Sequence, residues 1–196
     1  MRFRPKSLQL WVDSVYTLVI RQRSLKQLSR GQIKLDLLVC SPGGVATSAL
    51  MNHLSNYVLV NSPGDVDGLK HLTSPSKVTN VPRILYLTGE VQPAIASLRR
   101  RGYLLPHVVK LGGWKSIPFT FFPSIWEARV AKLMGKQLAE FCRLPKQSCL
   151  VVPYELIWDR TEEIATFLGL ERSDFSSTFP PKRVRASQES QGDASE

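Results

Sequence analysis

The sequence predicts an α/β fold in which a mainly parallel sheet is flanked by helices. Short apolar segments, typical of buried strands, alternate with segments whose apolar residues recur at helical spacing. In one place a strand, a glycine turn and a helix follow one another directly, as in folds built from parallel strands. The 196 residues suffice for one compact domain, and 43% of them are hydrophobic, which is typical of a globular protein.

The first 34 residues are strongly basic. They hold eight Lys or Arg against one acid, Asp13, and so carry most of the net charge of +10. Because the remaining chain is much less basic, we expect no nucleic-acid partner. The run LQLWVDSVYTLVI is too short and too polar to cross a bilayer, which needs roughly 20 apolar residues, and no small-residue cleavage site follows it. Residues 1–34 therefore predict a basic helical extension. Its packing on the domain is the favoured interpretation, and peripheral contact with an anionic membrane surface stays open.

The three cysteines are few for a chain of this length. They predict neither a disulfide framework nor a zinc site, and we expect no metal. A reducing compartment follows as the expectation, and with it a cytoplasmic protein, with association at a membrane surface left open.

The first half of the domain predicts alternating strands and helices. In order these are the strand LDLLVCS, the helix VATSALMNHLSNY, the strands YVLVNSPGD and RILYLT, and the helix VQPAIASLRRRGY. Proline is tolerated only in the first turn of a helix, so Pro93 places the start of the last of these helices just before it.

The second half predicts a long loop, two helices and a strand. Residues 103–123 contain three prolines and a glycine pair without a sustained period, which predicts an irregular, aromatic-rich segment of the kind that is often functional. Ser124 is the predicted N-cap of the longest helix. CLVVPYE predicts a fourth strand, and RTEEIATFLGL a short helix ended by Gly169. The polar residues 187–196 predict a disordered tail, leaving 35–186 as the domain.

The segment SPGGVATS, residues 41–48, has the parts of a phosphate cradle. It follows the first strand, where the backbone N–H groups and dipole of the next helix face outward. Gly43 and Gly44 allow a phosphate to approach the backbone, and Thr47 or Ser48 can add a hydroxyl donor. The lysine of the nucleoside-triphosphate loop is missing and no acidic Mg²⁺ site is evident, which excludes a nucleoside triphosphatase. The alternative is an ordinary turn in which Thr47 caps the helix.

Four blocks, in one order, carry a resemblance to a known family. They are SPGGVATSAL, YLTGEVQPAIASLRRR, YEL followed by FLGL, and FPPKRVRAS. From about Asp36 to Arg185 the chain resembles the sulfotransferase family, which uses 3′-phosphoadenosine 5′-phosphosulfate (PAPS). The resemblance implies a P-loop-like sulfotransferase architecture, with PAPS as co-substrate.

The resemblance also implies a set of nucleotide-binding residues. Those for the 5′-phosphosulfate are Gly43, Gly44, Val45, Ala46, Thr47 and Ser48, and those for the 3′-phosphate are Ser97, Lys182, Arg183 and Arg185. The chain departs from the family pattern at Gly44, where the family has Lys or Arg, and at Gly89, where it has Arg. Basic side chains elsewhere could replace these charges, because a phosphate needs cationic donors rather than one sequence position.

Transfer of a sulfuryl group needs a base for the acceptor proton and cations for the charge on the bridging oxygen. Of the three histidines, His107 is the best candidate base, since it lies in the segment expected to cover an acceptor; an ordinary hydrogen-bonded histidine is the alternative. Lys110 and Lys115 in the same segment, and one arginine of Arg99–Arg101, could supply charge. The sequence thus favours a PAPS-dependent enzyme acting on a hydroxyl or amine. The rival is a catalytically degenerate sulfotransferase-fold protein that serves as a binding or scaffold protein.

Overall fold

The structure, a computed structural model, describes residues 5–78 and 80–182. Its strands are β1 (Leu37–Cys40), β2 (Arg83–Thr88) and β3 (Cys149–Pro153). Its α-helices are α1 (Pro5–Ser29), α2 (Thr47–Leu54), α3 (Val91–Arg100), α4 (Leu104–Gly112), α5 (Trp126–Cys142), α6 (Thr161–Leu168) and α7 (Arg172–Ser177). The predicted α/β class is confirmed.

The three strands form a parallel sheet in the order β1-β2-β3. Side chains that alternate along each strand belong to two separate hydrophobic clusters, one on each face. On one face Val39 and Leu85 pack with residues of α2, α3 and α5, and on the other Leu38 and Tyr86 pack with Phe141 and with Leu28 of α1. Because both faces are covered, the strands are apolar throughout, as expected of a parallel sheet.

The predicted strand over YVLVNSPGD is wrong. The segment makes only one isolated bridge, between Val60 and Leu37. Beyond it the Asn61 side chain takes the place of a strand backbone: it accepts from Val39 N at 2.7 Å and donates to Val39 O at 3.1 Å. Pro63 then removes a backbone donor. The segment still runs beside β1 and ends at the carboxyl edge of the sheet.

The predicted irregular segment over residues 103–123 is also wrong. It forms α4 and then a 3₁₀ helix, Gly113–Phe121. Pro106 lies in the first turn of α4, where proline is tolerated. Six of the nine residues of α4 are buried, and the glycine pair lies at its end, where Gly113 follows the helix with a positive φ.

Helix α1 forms within the basic N-terminal segment and packs on α4, with Leu18 and Leu28 buried.

The predicted N-cap of α5 is wrong: Ser124 lies in a 3₁₀ turn, and Ile125 precedes the helix without a side-chain cap. Arg183, Arg185 and the tail predicted to be disordered lie outside the described residues. Within the described part, no helix is both long enough and apolar enough to cross a lipid bilayer.

Candidate functional site

The glycine loop between β1 and α2 has left-handed backbone at three positions. Gly43, Gly44 and Ala46 have φ values of 92°, 77° and 48°. A Cβ at Gly44 would lie 2.7 Å from the backbone oxygen of Ala94, so only glycine fits there without a shift of α3. The cation that the sulfotransferase resemblance implies at this position therefore cannot stand there.

The backbone N–H groups of this loop are available to a ligand. From Gly43 to Ala46, none of them has a hydrogen-bond acceptor among the described residues. Helix α2 starts without a side-chain cap, because Thr47 Oγ1 instead donates to Ser41 Oγ at 2.7 Å. The alternative interpretation of Thr47 as a cap is thereby wrong. The Val45 side chain is buried, so only its N–H can serve a ligand. Free N–H groups at the positive end of a helix dipole favour an anion.

A cavity of about 570 Å³ opens at this loop. It lies beyond the carboxyl end of β1, where ligands bind in parallel α/β sheets. Its wall is completed by one side of α1, by the segment after Pro63 and by the first part of α4. The side chains that bring charge or titratable groups to it are Asp13, Asp65, Lys70, His71, Arg101, His107 and Lys110.

Lys70 brings a buried ammonium group to the loop. Its Nζ donates to Ser48 Oγ at 2.5 Å and to the backbone oxygen of Pro63 at 2.8 Å, and the residue is only 8% exposed. Both acceptors are neutral, and Lys70 has no salt bridge within the described chain. Burial lowers the pKa of Lys70, because a charged ammonium group loses favourable hydration when it is taken out of water.

Asp65 and Lys110 form a partly buried ion pair beside Lys70, with Lys110 Nζ 2.6 Å from Asp65 Oδ2. Burial opposes ionisation of Asp65, but His71, Lys110 and Arg21 together hold its pKa below the usual value. Arg21 of α1 binds the backbone oxygens of Gly68 and Lys110 at 2.6 and 2.8 Å. Helix α1 thus fixes the far wall of the cavity. Lys110 contacts the Asp65 carboxylate directly, whereas Asp65 and Asp67 favour the charged form of Lys70 only from a distance, without an ion pair to its ammonium group.

Two neutral imidazoles, those of His71 and His107, meet edge to face at the cavity, with ring centroids 4.9 Å apart. Burial lowers the pKa of His71 to about 4 and that of His107 well below 6.5. Nδ1 of His71 lies 2.8 Å from the backbone oxygen of Ser41, and Nδ1 of His107 lies 2.8 Å from the backbone oxygen of Tyr103. A carbonyl only accepts, so in both rings the proton is on Nδ1 and Nε2 keeps a lone pair.

His107 Nε2 is buried and has no hydrogen-bond partner among the described groups. It lies against the loop, since a Cβ on Gly43 would be 2.2 Å from it. The sequence candidate for the base is therefore in the same cavity as the candidate phosphate loop. Arg21 Nη2, His53 Nε2 and Arg129 Nε are in the same state, but of these four residues only His107 lines the cavity, where a ligand could use the nitrogen.

We expect the buried histidines to make the protein sensitive to mild acid. The pKa of His71 is about 4 in the folded protein and 6.5 in the unfolded chain, so between these values the unfolded chain binds more protons. From about pH 7 to about pH 5, His71 alone should lower the free energy of unfolding by about 2 kcal/mol. Urea denaturation at the two pH values measures this. In His71→Asn, whose amide can still donate to Ser41, the pH dependence should shrink by that amount; an unchanged dependence would contradict the assignment.

The remaining sequence candidates are spread around the loop. Ser97 is half-buried on α3 and does not line the cavity. Of the three arginines, Arg99 pairs with Glu127, and Arg101 alone lines the cavity. Lys115 is exposed and lies outside it.

A small apolar slot lies on the other side of the start of α2. Ala46 and Ala49 form one wall, and Trp158, Phe179 and Pro180 are among the residues opposite. The Trp158 indole donates to the Pro180 oxygen at 2.8 Å, which holds the segment after α7 against the slot. Lys182 is exposed, with Nζ 5.7 Å from the Trp158 ring centroid. The glycine loop is therefore flanked by a charged cavity and an aromatic slot.

The sequence analysis missed Asp65 and Lys70, and it ranked His71 below His107. They lie in the segment GDVDGLKH, which follows the extended residues beside β1. Their position in the sequence could have revealed them, because a charged segment that follows an extended one should end at the same sheet edge as the glycine loop.

Comparison with known proteins finds no relative of this chain. No protein-family model, no curated protein and no solved structure matches the chain. The chemistry of the site follows from its own groups, which are free backbone N–H donors, an ammonium group that contacts only neutral oxygens and two neutral imidazoles. Such a set can bind an anion and accept a proton.

Proposed function

We propose that the protein binds PAPS at the glycine loop and transfers its sulfuryl group to a hydroxyl or amine acceptor. The observation that carries this proposal is the Lys70 ammonium, buried beside the loop and in contact only with neutral oxygens. A buried cation without a carboxylate is costly unless an anion joins it. A phosphosulfate held by the loop N–H groups would supply that anion.

Lys70 also supplies the cation that the loop itself lacks. Gly44 cannot carry a side chain, because Ala94 fills the space. Lys70 reaches Ser48 from a different segment and brings its charge to the same loop. The proposal therefore includes a P-loop-like sulfotransferase architecture in which this charge comes from outside the loop.

The nucleotide end of the ligand is assigned to the aromatic slot. The slot has a volume of about 70 Å³, which is too small to enclose a purine base, so the base would stack on the outer surfaces of the Trp158 and Phe179 rings. Lys182, next to Trp158, is available to the 3′-phosphate, together with Ser97, Arg183 and Arg185 as the resemblance implies. In this arrangement the ligand would extend across the start of α2, with its phosphosulfate group toward the cavity.

PAPS supplies the sulfuryl group: the acceptor oxygen or nitrogen bonds to sulfur, the bond from sulfur to the phosphate oxygen breaks, and adenosine 3′,5′-bisphosphate leaves. His107 Nε2 would take the acceptor proton once the ring turns from Gly43 toward the cavity, since this nitrogen has no hydrogen-bond partner and is buried against the loop. Lys70 and the loop N–H groups stabilise the charge on the leaving oxygen. Tyr103 holds the Nδ1 proton of His107 and so fixes the tautomer.

We expect adenosine 3′,5′-bisphosphate, the product nucleotide, to bind the full-length chain with a dissociation constant in the micromolar range. The physical reason is that its two phosphates meet the two cationic regions beside the loop. Calorimetric titration measures the affinity, and adenosine, which has the base but no phosphate, serves as the matched control ligand. Absence of binding at millimolar nucleotide would overturn the proposal. Binding without transfer of radiolabelled sulfuryl to water or to an added alcohol, phenol or amine would favour the degenerate binding protein.

A further inference from the structure

The outward face of α1 is apolar where a surface helix usually carries polar side chains. Leu8, Val12, Tyr16 and Val19 are between 45% and 63% exposed. The opposite face packs on the domain through buried residues such as Leu18 and Leu28. Because the described part of the chain leaves the outer residues uncovered, the fold does not account for their apolar character.

The same face continues with basic residues toward the end of the helix. At about 100° per residue, the four apolar positions and Arg23, Lys26 and Arg30 fall within an arc of about 80°. The three basic residues are exposed, and none makes an ion pair within the described residues. We call this set of seven side chains the α1 stripe. The acid of this helix, Asp13, lies outside the arc.

Two exposed aromatic side chains follow the point where the 3₁₀ helix contacts α1. The Trp11 indole donates to Thr120 Oγ1 at 3.1 Å and so ties the 3₁₀ helix to α1. Phe121 and Phe122 follow directly and are 51% and 58% exposed. Aromatic rings of this kind are enriched where proteins meet the headgroup region of a bilayer.

We propose that the α1 stripe docks on the surface of a bilayer that contains anionic lipids. Its apolar half can enter the boundary between headgroups and acyl chains while Arg23, Lys26 and Arg30 lie against lipid phosphates. Helix α1 as a whole is not strongly amphipathic, because its buried face is apolar too, so only the outward face is available for this contact. In the sequence, Arg2, Arg4 and Lys6 precede Leu8 and add to the positive charge. Nucleic acid fits less well, because it would match the cations and leave the apolar half in water. The docking does not depend on the function proposed for the cavity.

Flotation of the full-length chain with vesicles tests this proposal. We expect binding to phosphatidylcholine vesicles with about 30% phosphatidylserine, falling with added salt, and much weaker binding to pure phosphatidylcholine. Replacing Arg23 and Lys26 by serine should reduce partitioning by roughly 25-fold, since each cation contributes about fivefold. Replacing Val12 and Val19 by serine should reduce it by about tenfold or more. All four residues are exposed, so the variants should fold.

Matched controls keep the outcome decisive. Lys132→Ser with Lys136→Ser removes two exposed cations from α5, and Leu59→Ser with Val66→Ser removes two exposed aliphatic side chains elsewhere. Both should bind vesicles like the wild type. The proposal is overturned if the wild type ignores anionic vesicles, or if the valine replacements leave partitioning unchanged, which would mean adsorption by charge alone. It is equally overturned if sedimentation shows a dimer that the valine replacements dissociate, since the stripe would then be a contact between two copies.

Discussion

Replacing His107 by asparagine is expected to lower the rate of sulfuryl transfer by about 10²- to 10⁴-fold, the usual contribution of a positioned general base. Asparagine keeps a donor for the Tyr103 oxygen, which His107 contacts through Nδ1, and removes only the Nε2 lone pair. The measurement is transfer of radiolabelled sulfuryl from PAPS under single-turnover conditions. Affinity for adenosine 3′,5′-bisphosphate should change by less than about threefold, because the base does not hold the nucleotide.

The pH profile distinguishes a base from a packing residue. The pKa of His107 lies well below 6.5, chiefly through burial, so His107 stays unprotonated at neutral pH. The wild-type rate should therefore be level near neutrality and fall only at lower pH, and His107→Asn should lose this fall. His71→Asn is the matched variant, since His71 has the same tautomer and lies next to His107. A larger loss of rate in His71→Asn than in His107→Asn would mean that the wrong imidazole has been assigned.

The fold could be predicted wherever local pattern decides it. The alternation of apolar strands and amphipathic helices gave the α/β class and the three strands of the sheet correctly, and Gly169, with its φ of 73°, ends α6 as predicted. Local pattern failed in two places. At Asn61 a side chain replaces strand pairing, and the proline and glycines that predicted a loop lie at the two ends of α4, where a helix tolerates them.

The candidate site was predictable only in its backbone. The glycine loop could be recognised because its residues adjoin in sequence and must lie at the end of β1. Lys70 lies 22 residues beyond Ser48, and its role arises only because the extended residues around Val60 run beside β1. The neutral state of His107 depends on burial against Gly43 and on its neighbour His71, neither of which can be read from a sequence period. A sequence motif can therefore locate the phosphate-binding loop, whereas the charged side chains that complete the site are found only in the three-dimensional structure.

Gly44 explains why the cation of this site has to come from elsewhere. Its Cβ position is occupied by the backbone of α3, so the tight packing of loop on helix excludes a lysine in the loop. Lys70 restores the charge, but at a depth where burial lowers its pKa. A residue kept at such a cost for folding is expected to serve binding, because stability and function then make opposite demands on it.

Replacing Lys70 by methionine is the sharpest test of that expectation. The loss of a hydrogen bond to a charged group should weaken binding of adenosine 3′,5′-bisphosphate by roughly 10- to 150-fold. The loss of one donor to the leaving oxygen should lower the transfer rate by about 100- to 1,000-fold. Calorimetry and the single-turnover assay measure the two effects. Lys136→Met, which removes an exposed lysine of α5 outside the cavity, is the matched control and should leave both quantities unchanged.

The stability of Lys70→Met then separates a binding role from a structural one. Methionine keeps most of the aliphatic stem and removes the buried charge, while Ser48 Oγ and the Pro63 oxygen, 3.2 Å apart, can still bond to each other. The free energy of unfolding of the ligand-free protein should therefore stay the same or rise by up to about 1 kcal/mol. A fall of more than about 2 kcal/mol would show that the ammonium holds the loop in place, as removal of a needed buried partner does. In that case the weaker nucleotide binding would reflect a disordered loop, and Lys70 would lose its place in the proposed mechanism.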